Sequence, residues 1–561
     1  MAYLHTSNES RRRLTHRAIP ALAVVAVGAL GIGLAIGSGR DSEEERSAKQ
    51  FAAAWDRQDY RTMHELLDAE SRRRYPPAAF RRAYEDATAT ATATSVRVAE
   101  PRGTQNGRRR VPVVVDTRVF GEIRGQTALP VGEDGVAWTP SLAFPGVPDG
   151  QRLTRRTEAP LRATIESVDR KVLAEGPADG RTSPEGVGSS IAGTVAPSDD
   201  RAVQDALFRR GFARNSPVGQ TGLERALQVQ VEGLPGGTLL GGRTVLARSE
   251  PRPAPRVRST IDSRLQESAV EALAGRLGGI AALDPKTGEA RALAGVAFSA
   301  PQPPGSTFKV ITTAAALEKN KVKLADKFPV ETKAVIDGVD LENANGESCG
   351  GTFAESFAHS CNSVFAPLGV KVGAKELVSM AERFGWNTEP SVPGAMKSTV
   401  PEAGDIKSPL DLGSSAIGQG RVLATPLEMA SVAQTVANDG VRVPPTLIAS
   451  QRPKGKRVIS KRIADTLEGL MVGVVRYGTG TAAQIPGVAV AGKTGTAELG
   501  DTRGPDAVAQ SDPSNTDAWF TAFAPAKTPK VAVGVLFVRL GAGGATAAPA
   551  ARIVLGRALG K

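Results

Sequence analysis

The string Ser306-Thr307-Phe308-Lys309 is followed in this chain by Ser360-Cys361-Asn362 and then by Lys493-Thr494-Gly495-Thr496. In order, they read Ser-x-x-Lys, Ser-x-Asn and Lys-Thr-Gly. The first pattern alone should occur by chance several times in a chain of 561 residues. All three in this order, each in a fitting local context, indicate that one site draws on all of them.

The first string predicts a nucleophile at the start of a helix. Pro304-Gly305 suits a turn before Ser306, and apolar residues recur with helical spacing from Phe308 onward. Ser306 and Lys309 are three positions apart, so both face the same side of that helix. A serine hydroxyl needs a neighbouring base, and a lysine can serve only if burial or a nearby cation lowers its pKa. Lys493 is the candidate cation.

Each string also has a purely structural interpretation. Ser306 and Lys309, taken alone, read as a capping serine and a surface lysine. Ser360 and Asn362 follow a helix-like run, 353–359, and both residue types are favoured at helix-end caps. The string at Lys493 suits an edge strand with a turn, entered from a strand pattern at 488–490. Only the combination of the three favours a catalytic site.

Together the three strings resemble the motif set of penicillin-binding proteins, serine enzymes that attack a D-alanyl amide or a β-lactam ring. The resemblance is dense from Arg258 to the C-terminus. It implies a transpeptidase domain over residues 256–561, with an antiparallel sheet flanked by helices, in a multidomain α+β protein.

Local patterns fit that sheet. Residues 279–284 and 290–294 predict a hairpin around a Pro- and Gly-containing turn. Residues 530–540 supply another apolar strand, and the Ala-rich end of the chain predicts a helix that packs on the sheet.

The resemblance implies a role for each motif residue. Ser306 is the nucleophile and Lys309 is its base. Ser360 relays a proton to the leaving amine, and Asn362 hydrogen-bonds the amide backbone of the substrate.

The third string implies a binding strand for the substrate. Lys493 and Thr494 hold the terminal carboxylate of a D-Ala-D-Ala stem or of a β-lactam. Gly495 allows close approach of the acyl group because it has no side chain. The backbone N–H groups of Ser306 and Thr496 form the expected oxyanion hole.

Further strings resemble segments that the family carries around these motifs, and we expect them to be architectural rather than catalytic. They are 416–420, 424–428, 478–482 and 517–520.

Composition narrows the choice of partners. The net charge is +12, aromatic residues make up 4% of the chain, and no basic run is interleaved with aromatics. This pattern gives no support for nucleic-acid binding. Two cysteines and four scattered histidines do not build a metal-ligand cluster. The reaction implied by the resemblance needs no metal or organic cofactor.

An apolar, uncharged segment lies at 18–37, about the roughly 20 residues that a bilayer helix needs. Arginines precede it and acidic residues follow it. This charge bias predicts a single-pass anchor in the plasma membrane, with a cytoplasmic tail at 1–17 and the bulk of the chain outside. A cleaved signal peptide is the alternative, and its apolar core would be shorter.

Two regions separate the anchor from the transpeptidase domain. Residues 47–67 predict two helices, and 111–120 and 122–131 predict strands. Helices followed by curved antiparallel strands resemble an NTF2-like module, expected over 44–156, although a generic α+β spacer is the alternative. Residues 157–250 contain two imperfect matches to motifs of the class B pedestal, or dimerisation-like, domain. One match lies at 162–174 and the other at 219–224.

The predicted function is that of a D,D-transpeptidase that cross-links peptidoglycan stem peptides through a serine acyl-enzyme and binds penicillin and other β-lactams covalently. Proteins of the cell-wall synthesis complex are expected partners. One alternative is a D,D-carboxypeptidase or a β-lactamase, but no Glu-x-x-Leu-Asn string follows Asn362 to direct a hydrolytic water. The other is a β-lactam sensor or cell-wall scaffold without turnover.

Cys349 and Cys361 allow two arrangements. An exported chain meets an oxidising compartment, where these residues can form a disulfide that braces the string at Ser360. Two separate thiols, with Cys361 buried, are the alternative, and the sequence leaves both open.

Overall fold

The computed structural model describes residues 42–500 and 512–561. The tail and anchor predicted at 1–17 and 18–37 lie outside these residues. Within the described residues, every helix is too short or too polar to cross a bilayer.

The chain divides into two compact units. The first holds the described residues up to 155 together with 238–247, and the second holds 156–237 and 248–561. Residues 238–247 were predicted to belong to the pedestal region. They fall in the first unit because Leu239 is fully buried in that unit's core, with Leu246 and Ala247 packed against it.

Helices followed by an antiparallel sheet build the first unit. Its helices are Glu43–Asp56, Tyr60–Glu65, Ala69–Arg74 and Pro77–Ala91. Its sheet consists of Ala93–Val98, Thr104–Gln105, Arg108–Thr117, Gly121–Gly132 and Gly135–Val136. The two helices predicted in 47–67 and the strands predicted at 111–120 and 122–131 are confirmed.

An aromatic cluster fills the core of this unit. Phe80, Tyr84 and Trp138 are fully buried and lie with ring centroids 4.6–5.9 Å apart. The Trp138 indole N–H donates to the Tyr84 hydroxyl at 3.1 Å, so the polar handles of both rings are satisfied inside the core. Asp59 caps the second helix by accepting from the Thr62 N–H, which explains the break after Asp56.

Short elements make up residues 156–237 and 248–262 of the second unit. The helices are Val187–Ile191, Arg201–Arg210, Gly222–Ala226 and Gln228–Val231, and the strands are Ile165–Glu166, Val172–Ala174, Val195–Ala196, Val218–Gly219 and Val257–Arg258. The strands Leu153–Glu158, Gly236–Gly241 and Thr244–Ser249 pair as one sheet.

A buried ion triad joins the two pedestal-like strings. The Nε groups of Arg162 and Arg181 donate to the two carboxylate oxygens of Glu224 at 2.6 and 2.7 Å. All three side chains are buried, and each carboxylate oxygen has its own arginine. These ion pairs offset the cost of burying the three charges, because a buried charge without a partner of opposite sign is strongly disfavoured.

The centre of the second unit is a five-stranded antiparallel sheet. Its strands, in spatial order, are Ala290–Gly295, Gly278–Leu283, Val531–Phe537, Thr516–Ala524 and Ala491–Glu498. Apolar side chains pack on both faces, and the inner strands Gly278–Leu283 and Val531–Phe537 are nearly continuous hydrophobic runs, whereas the edge strand Ala491–Glu498 carries the polar residues of the third string. The predicted hairpin, the strand at 530–540 and the C-terminal helix are confirmed.

Helices cover both faces of the sheet. Ser263–Leu273 and Ala547–Ala558 pack together on one face. The other helices are Lys309–Glu318, Phe353–Ala358, Asn362–Val372, Ala374–Phe384, Pro409–Ala416, Pro426–Ala437 and Lys461–Arg476. A short hairpin pairs Lys333–Ile336 with Val339–Glu342, and two further antiparallel pairs join Lys327–Glu331 with Cys349–Thr352 and Val441–Arg442 with Lys456–Arg457.

One strand prediction is wrong in its position. Residues 488–490 were expected to lead as a strand into the third string, but the strand is Ala491–Glu498 and therefore contains that string. Val488 instead makes an isolated bridge with Ile485, because the chain turns there before entering the sheet.

Candidate active site

Ser306 lies on a short 3₁₀ turn, Gly305–Phe308, that leads directly into the helix Lys309–Glu318. Gly305 has a φ of +51°, and a Cβ at this position would stand 2.6 Å from the carbonyl oxygen of Thr496. Only glycine fits both the conformation and the space. The serine turn can therefore pack directly against the strand that carries the third string.

Lys309 is fully buried, and its ammonium group points at the second string. Nζ donates to Ser360 O at 2.6 Å and to Asn362 Oδ1 at 2.7 Å, and Ser360 Oγ lies 3.3 Å away. Burial lowers the pKa of Lys309 well below its usual range, and the positive charge of Lys493 lowers it further. Among the described residues, no hydrogen bond joins Ser306 Oγ to Lys309 Nζ. Hydrogen bonds between catalytic groups are often long without substrate and shorten when substrate binds.

Ser360 occupies a strained backbone position between two helices, Phe353–Ala358 and Asn362–Val372. Its φ is +63°, in the left-handed region that side-chain-bearing residues rarely adopt. Thr352 and Glu355 form a capping box at the start of the first helix, which fixes its geometry. The left-handed residue then turns the chain so that the Ser360 carbonyl and hydroxyl both face Lys309.

A disulfide bond joins Cys349 to Cys361, with the two Cα atoms 5.4 Å apart. Cys349 begins the strand Cys349–Thr352, and Cys361 lies between Ser360 and Asn362. The bond therefore ties the second string to a neighbouring hairpin.

Lys493 is the second lysine that contacts Ser360. Its Nζ donates to Ser360 Oγ at 2.8 Å and to Thr494 O at 3.0 Å. The side chain is fully buried, and burial lowers the pKa of Lys493 to about 7. The Ser360 hydroxyl thus lies between two lysines whose charges are both disfavoured.

Gly495 is confined by the serine turn. A Cβ there would stand 2.6 Å from Pro304 O and 3.0 Å from both Thr307 Cγ2 and Trp519 Cβ. These neighbours show that the missing side chain also lets the strand and the turn meet. The space that this glycine gives to an acyl group remains a prediction.

The predicted residues line one cavity of about 400 Å³. Ser306, Ser360, Asn362, Thr494 and Thr496 all contribute to its wall. Lys309 and Lys493 lie behind this wall and reach it through Ser360. The three strings, separated by up to 187 positions in the sequence, therefore form a single site.

A groove of about 690 Å³ adjoins this cavity. The two share Asn362, Ile417, Gln419 and Glu498, so a chain-like ligand can extend from one into the other. Gly338 and the strand Val339–Glu342 also line the groove. The cavity and the groove together leave room for a peptide segment beside the serine turn.

Sequence reasoning missed several residues of the cavity wall. Ile417 and Gln419, from the string at 416–420, and Thr479 and Thr481, from the string at 478–482, line the cavity. We had expected both strings to be architectural. Their Gly-rich composition signals a close backbone approach, and only the fold reveals that the approach is to the site.

Comparison with known proteins agrees with this geometry. A family model described as the penicillin binding protein transpeptidase domain matches residues 278–556. The chain is 34% identical over 427 residues to the peptidoglycan D,D-transpeptidase PbpA of Mycolicibacterium smegmatis, in an alignment that covers 71% of this chain and 78% of that protein. The chain belongs to the penicillin-binding protein transpeptidases. The PbpA of Mycobacterium tuberculosis is 40% identical over 291 residues, which cover 47% of this transpeptidase and 56% of that protein.

Solved structures give the same assignment. The crystal structure of PBPA from Mycobacterium tuberculosis is 29% identical, with a TM-score of 0.57, and the match covers 71% of this transpeptidase and 99% of that chain. A structure of the same protein as an imipenem acyl-enzyme complex also has a TM-score of 0.57 at 29% identity, covering 72% and 99% of the two chains. The D,D-transpeptidase domain from Eggerthella lenta has a TM-score of 0.58 at 29% identity, with coverage of 72% and 99%.

Proposed function

We propose that this transpeptidase cross-links peptidoglycan stem peptides, and that penicillin and other β-lactams acylate it, in both cases through Ser306. The observation that carries the proposal is the buried Lys309. Its Nζ lies within 2.7 Å of both Ser360 O and Asn362 Oδ1, at the wall of the cavity that Ser306 also lines. A lysine whose charge is disfavoured by burial, three residues from a serine, is the base that a serine nucleophile needs.

In the first half-reaction, Ser306 Oγ attacks the carbonyl carbon between the two D-alanines while neutral Lys309 accepts the hydroxyl proton. The developing oxyanion accepts hydrogen bonds from the backbone N–H groups of Ser306 and Thr496. The C–N bond then breaks, and Ser360 passes a proton to the leaving amine. D-alanine departs, and the acyl group remains as an ester on Ser306.

In the second half-reaction, an amine of another stem peptide attacks the ester carbonyl. The amine loses a proton to the Ser360 and Lys309 pair, and the ester C–O bond breaks. Ser306 recovers its proton as the cross-linking amide forms. The groove adjoining the cavity provides the space that a peptide needs.

Binding of the donor peptide rests on the third string. Lys493 and Thr494 hold the terminal carboxylate, and Asn362 hydrogen-bonds the peptide backbone. Thr494 lines the cavity, and Lys493 lies directly behind Ser360, so a carboxylate and the scissile carbonyl can be held at the same time.

One observation bears on the hydrolase alternative. Glu347 and Glu498 both line the cavity, although neither lies in a Glu-x-x-Leu-Asn string. A carboxylate near the ester could direct a water molecule toward it. We favour transfer over hydrolysis because the adjoining groove suits a second peptide.

The remaining parts of the chain fit an extracytoplasmic enzyme. We propose a single-pass anchor at 18–37 that holds the enzyme at the outer face of the plasma membrane beside other proteins of cell-wall synthesis. The first unit, with helices followed by an antiparallel sheet, supports an NTF2-like module over about 44–156. The triad of Arg162, Arg181 and Glu224 supports a pedestal domain over 157–250.

The test is to treat the full-length chain in detergent with penicillin and to map the adduct by mass spectrometry, alongside a cross-linking assay with lipid-linked substrate. The adduct is expected on the peptide that carries Ser306. Ser306→Ala should lose both the adduct and cross-linking. Ser299→Ala, at an exposed serine seven positions earlier, should keep both. An adduct elsewhere, or full labelling of Ser306→Ala, would refute the proposal.

A further inference from the structure

Thr479 is held in place from three directions at the edge of the active-site cavity. Its backbone N–H donates to Ala358 O at 3.1 Å, two residues before Ser360. A Cβ on Gly478 would stand 2.3 Å from the same Ala358 O, and a Cβ on Gly544 would stand 2.4 Å from Thr479 O. Glycine at both positions lets three segments meet around this threonine.

The Thr479 side chain contacts the proposed carboxylate-binding strand. Its Oγ1 lies 2.5 Å from Thr494 Oγ1, and either atom can be the donor. Its Oγ1 also lies 3.3 Å from Ala358 O, a much longer contact. Each hydroxyl has one proton to donate and can also accept, so these contacts determine where the Thr494 proton points.

Two arrangements of the hydroxyl protons exist. If Thr479 donates to Ala358 O, Thr494 must donate to Thr479, and Thr494 then turns its lone pairs toward the cavity. If Thr479 donates to Thr494, the Thr494 proton is free to point into the cavity. The second arrangement is favoured because Ala358 O already accepts from the Thr479 N–H, and because Ala358 O lies 3.3 Å from Thr479 Oγ1, which is long for a bond donated by a hydroxyl.

We propose that Thr479 is a positioning residue, which donates its hydroxyl proton to Thr494 and so presents the Thr494 hydroxyl as a donor to the terminal carboxylate of the substrate or the β-lactam. This inference rests on the proposed function, in which Thr494 binds that carboxylate. A donor held in advance needs no reorientation when the anion arrives, and hydrogen bonds to charged groups are stronger than neutral ones.

Thr481 provides a matched control within the same loop. It lines the same cavity two positions later and is similarly exposed. Among the hydrogen bonds of the described residues, none involves the Thr481 hydroxyl. Thr481→Val therefore removes a cavity-lining hydroxyl without touching Thr494.

The experiment compares benzylpenicillin with its methyl ester, which lacks the anionic carboxylate. Second-order acylation rate constants are measured for the full-length wild type and for Thr479→Val, Thr479→Ser, Thr494→Val and Thr481→Val. Thr479→Val should slow acylation by the free acid about tenfold and leave acylation by the ester unchanged. Thr479→Ser and Thr481→Val should stay within about twofold of the wild type for both compounds.

The outcomes distinguish failure of the Thr479 role from failure of the Thr494 role. If Thr494→Val loses the preference for the free acid but Thr479→Val keeps it, Thr479 does not orient Thr494, and the inference is overturned. Equal slowing of acid and ester by Thr479→Val would mean a purely structural role and would overturn it too. If Thr494→Val itself keeps the full preference, the proposed carboxylate role of Thr494 fails, and the inference fails with it.

Discussion

Two buried lysines share the Ser360 hydroxyl, and burial disfavours the charged form of each. Lys309 is the more strongly shifted, because the charge of Lys493 adds to its own desolvation. The arrangement favours a neutral Lys309 beside a charged Lys493. A neutral Lys309 can take the proton of Ser306, and a charged Lys493 can attract a carboxylate.

This charge arrangement predicts a bell-shaped pH dependence for acylation by penicillin. The second-order rate constant should rise with pH at the acid end as Lys309 loses its proton. It should fall above about pH 7, where Lys493, with its pKa of about 7, becomes neutral. Because this constant reports groups of the free enzyme, the limbs follow these two residues.

The penicillin methyl ester serves as the control for the alkaline limb. It has no carboxylate for Lys493 to attract, so its acylation should lack the fall at high pH. A profile that stays flat from about pH 5 to 9 would contradict the assignment. The same fall for acid and ester would remove Lys493 as its cause.

At the scale of single residues, the sequence predicted which residues form the site better than it predicted their backbone conformations and contacts. Ser306, Lys309 and Lys493 could be named because their strings have fixed internal spacing. The left-handed backbone of Ser360 could not be anticipated, because serine has no preference for that conformation and only the tertiary contacts impose it. Thr479 was missed because its partner, Thr494, lies 15 positions away and meets it only through the fold.

At the scale of elements, the segment from Cys349 to Asn362 is held at both ends. A capping box starts the helix Phe353–Ala358, and the disulfide joins the strand before this helix to the residue after Ser360. The sequence predicted a helix-like run at 353–359, and the capping box of Thr352 and Glu355 explains where that helix begins. The pairing of the cysteines could not be decided from sequence, because it depends on the distance between two Cα atoms.

Removing the disulfide should lower stability and slow acylation. Closing a loop of this length stabilises a fold by about 3 kcal/mol at most in the chain-entropy model. Cys349→Ala combined with Cys361→Ala should lower the free energy of unfolding by up to that amount. It should also reduce the acylation rate, because Ser360 loses its brace. Denaturant unfolding and penicillin acylation measure the two effects.

A reducing agent offers an independent check on the same bond. It should shift the unfolding midpoint of the wild type toward that of the double variant and leave the double variant itself unchanged. Free thiols on the untreated wild-type protein, detected by a non-reducing peptide map, would be incompatible with the bond.

At the scale of the whole molecule, the sequence predicted the second unit more completely than the boundaries. The hairpin at 279–284 and 290–294 and the strand at 530–540 were predictable because they are apolar runs bounded by turn residues, whereas Thr516–Ala524 and Ala491–Glu498 mix polar and apolar residues and were not predicted with these bounds. The assignment of residues 238–247 to the first unit was not predictable from the sequence. It depends on contacts between residues that are far apart in the chain, and such contacts have no local sequence pattern.

The molecule as a whole is expected to release opened penicillin slowly. Hydrolysis of the ester needs a base that activates a water molecule beside the ester carbonyl carbon, and the sequence carries no recognised motif that supplies one. Penicillin should therefore give a stoichiometric burst, followed by turnover far below the roughly 1–10³ s⁻¹ typical of enzymes on their own substrates. Release of hydrolysed antibiotic by the full-length chain measures this rate.

Glu347 and Glu498 are the residues to change if turnover is fast. Steady release in the typical range would favour the hydrolase alternative. Glu498→Gln or Glu347→Gln should then identify which carboxylate directs the water. If release is slow, both variants should leave it slow.

Position 360 also has an evolutionary consequence. The backbone there demands a positive φ, which Gly, Asn and Asp tolerate best, and none of these carries a hydroxyl. The proposed chemistry demands a hydroxyl, and threonine, the closest alternative, is β-branched and fits a positive φ worse than serine does. The two demands leave serine as the one residue that meets both. Lineages under antibiotic selection should therefore vary the surrounding cavity wall, where no such conflict restricts the choice, and keep this serine.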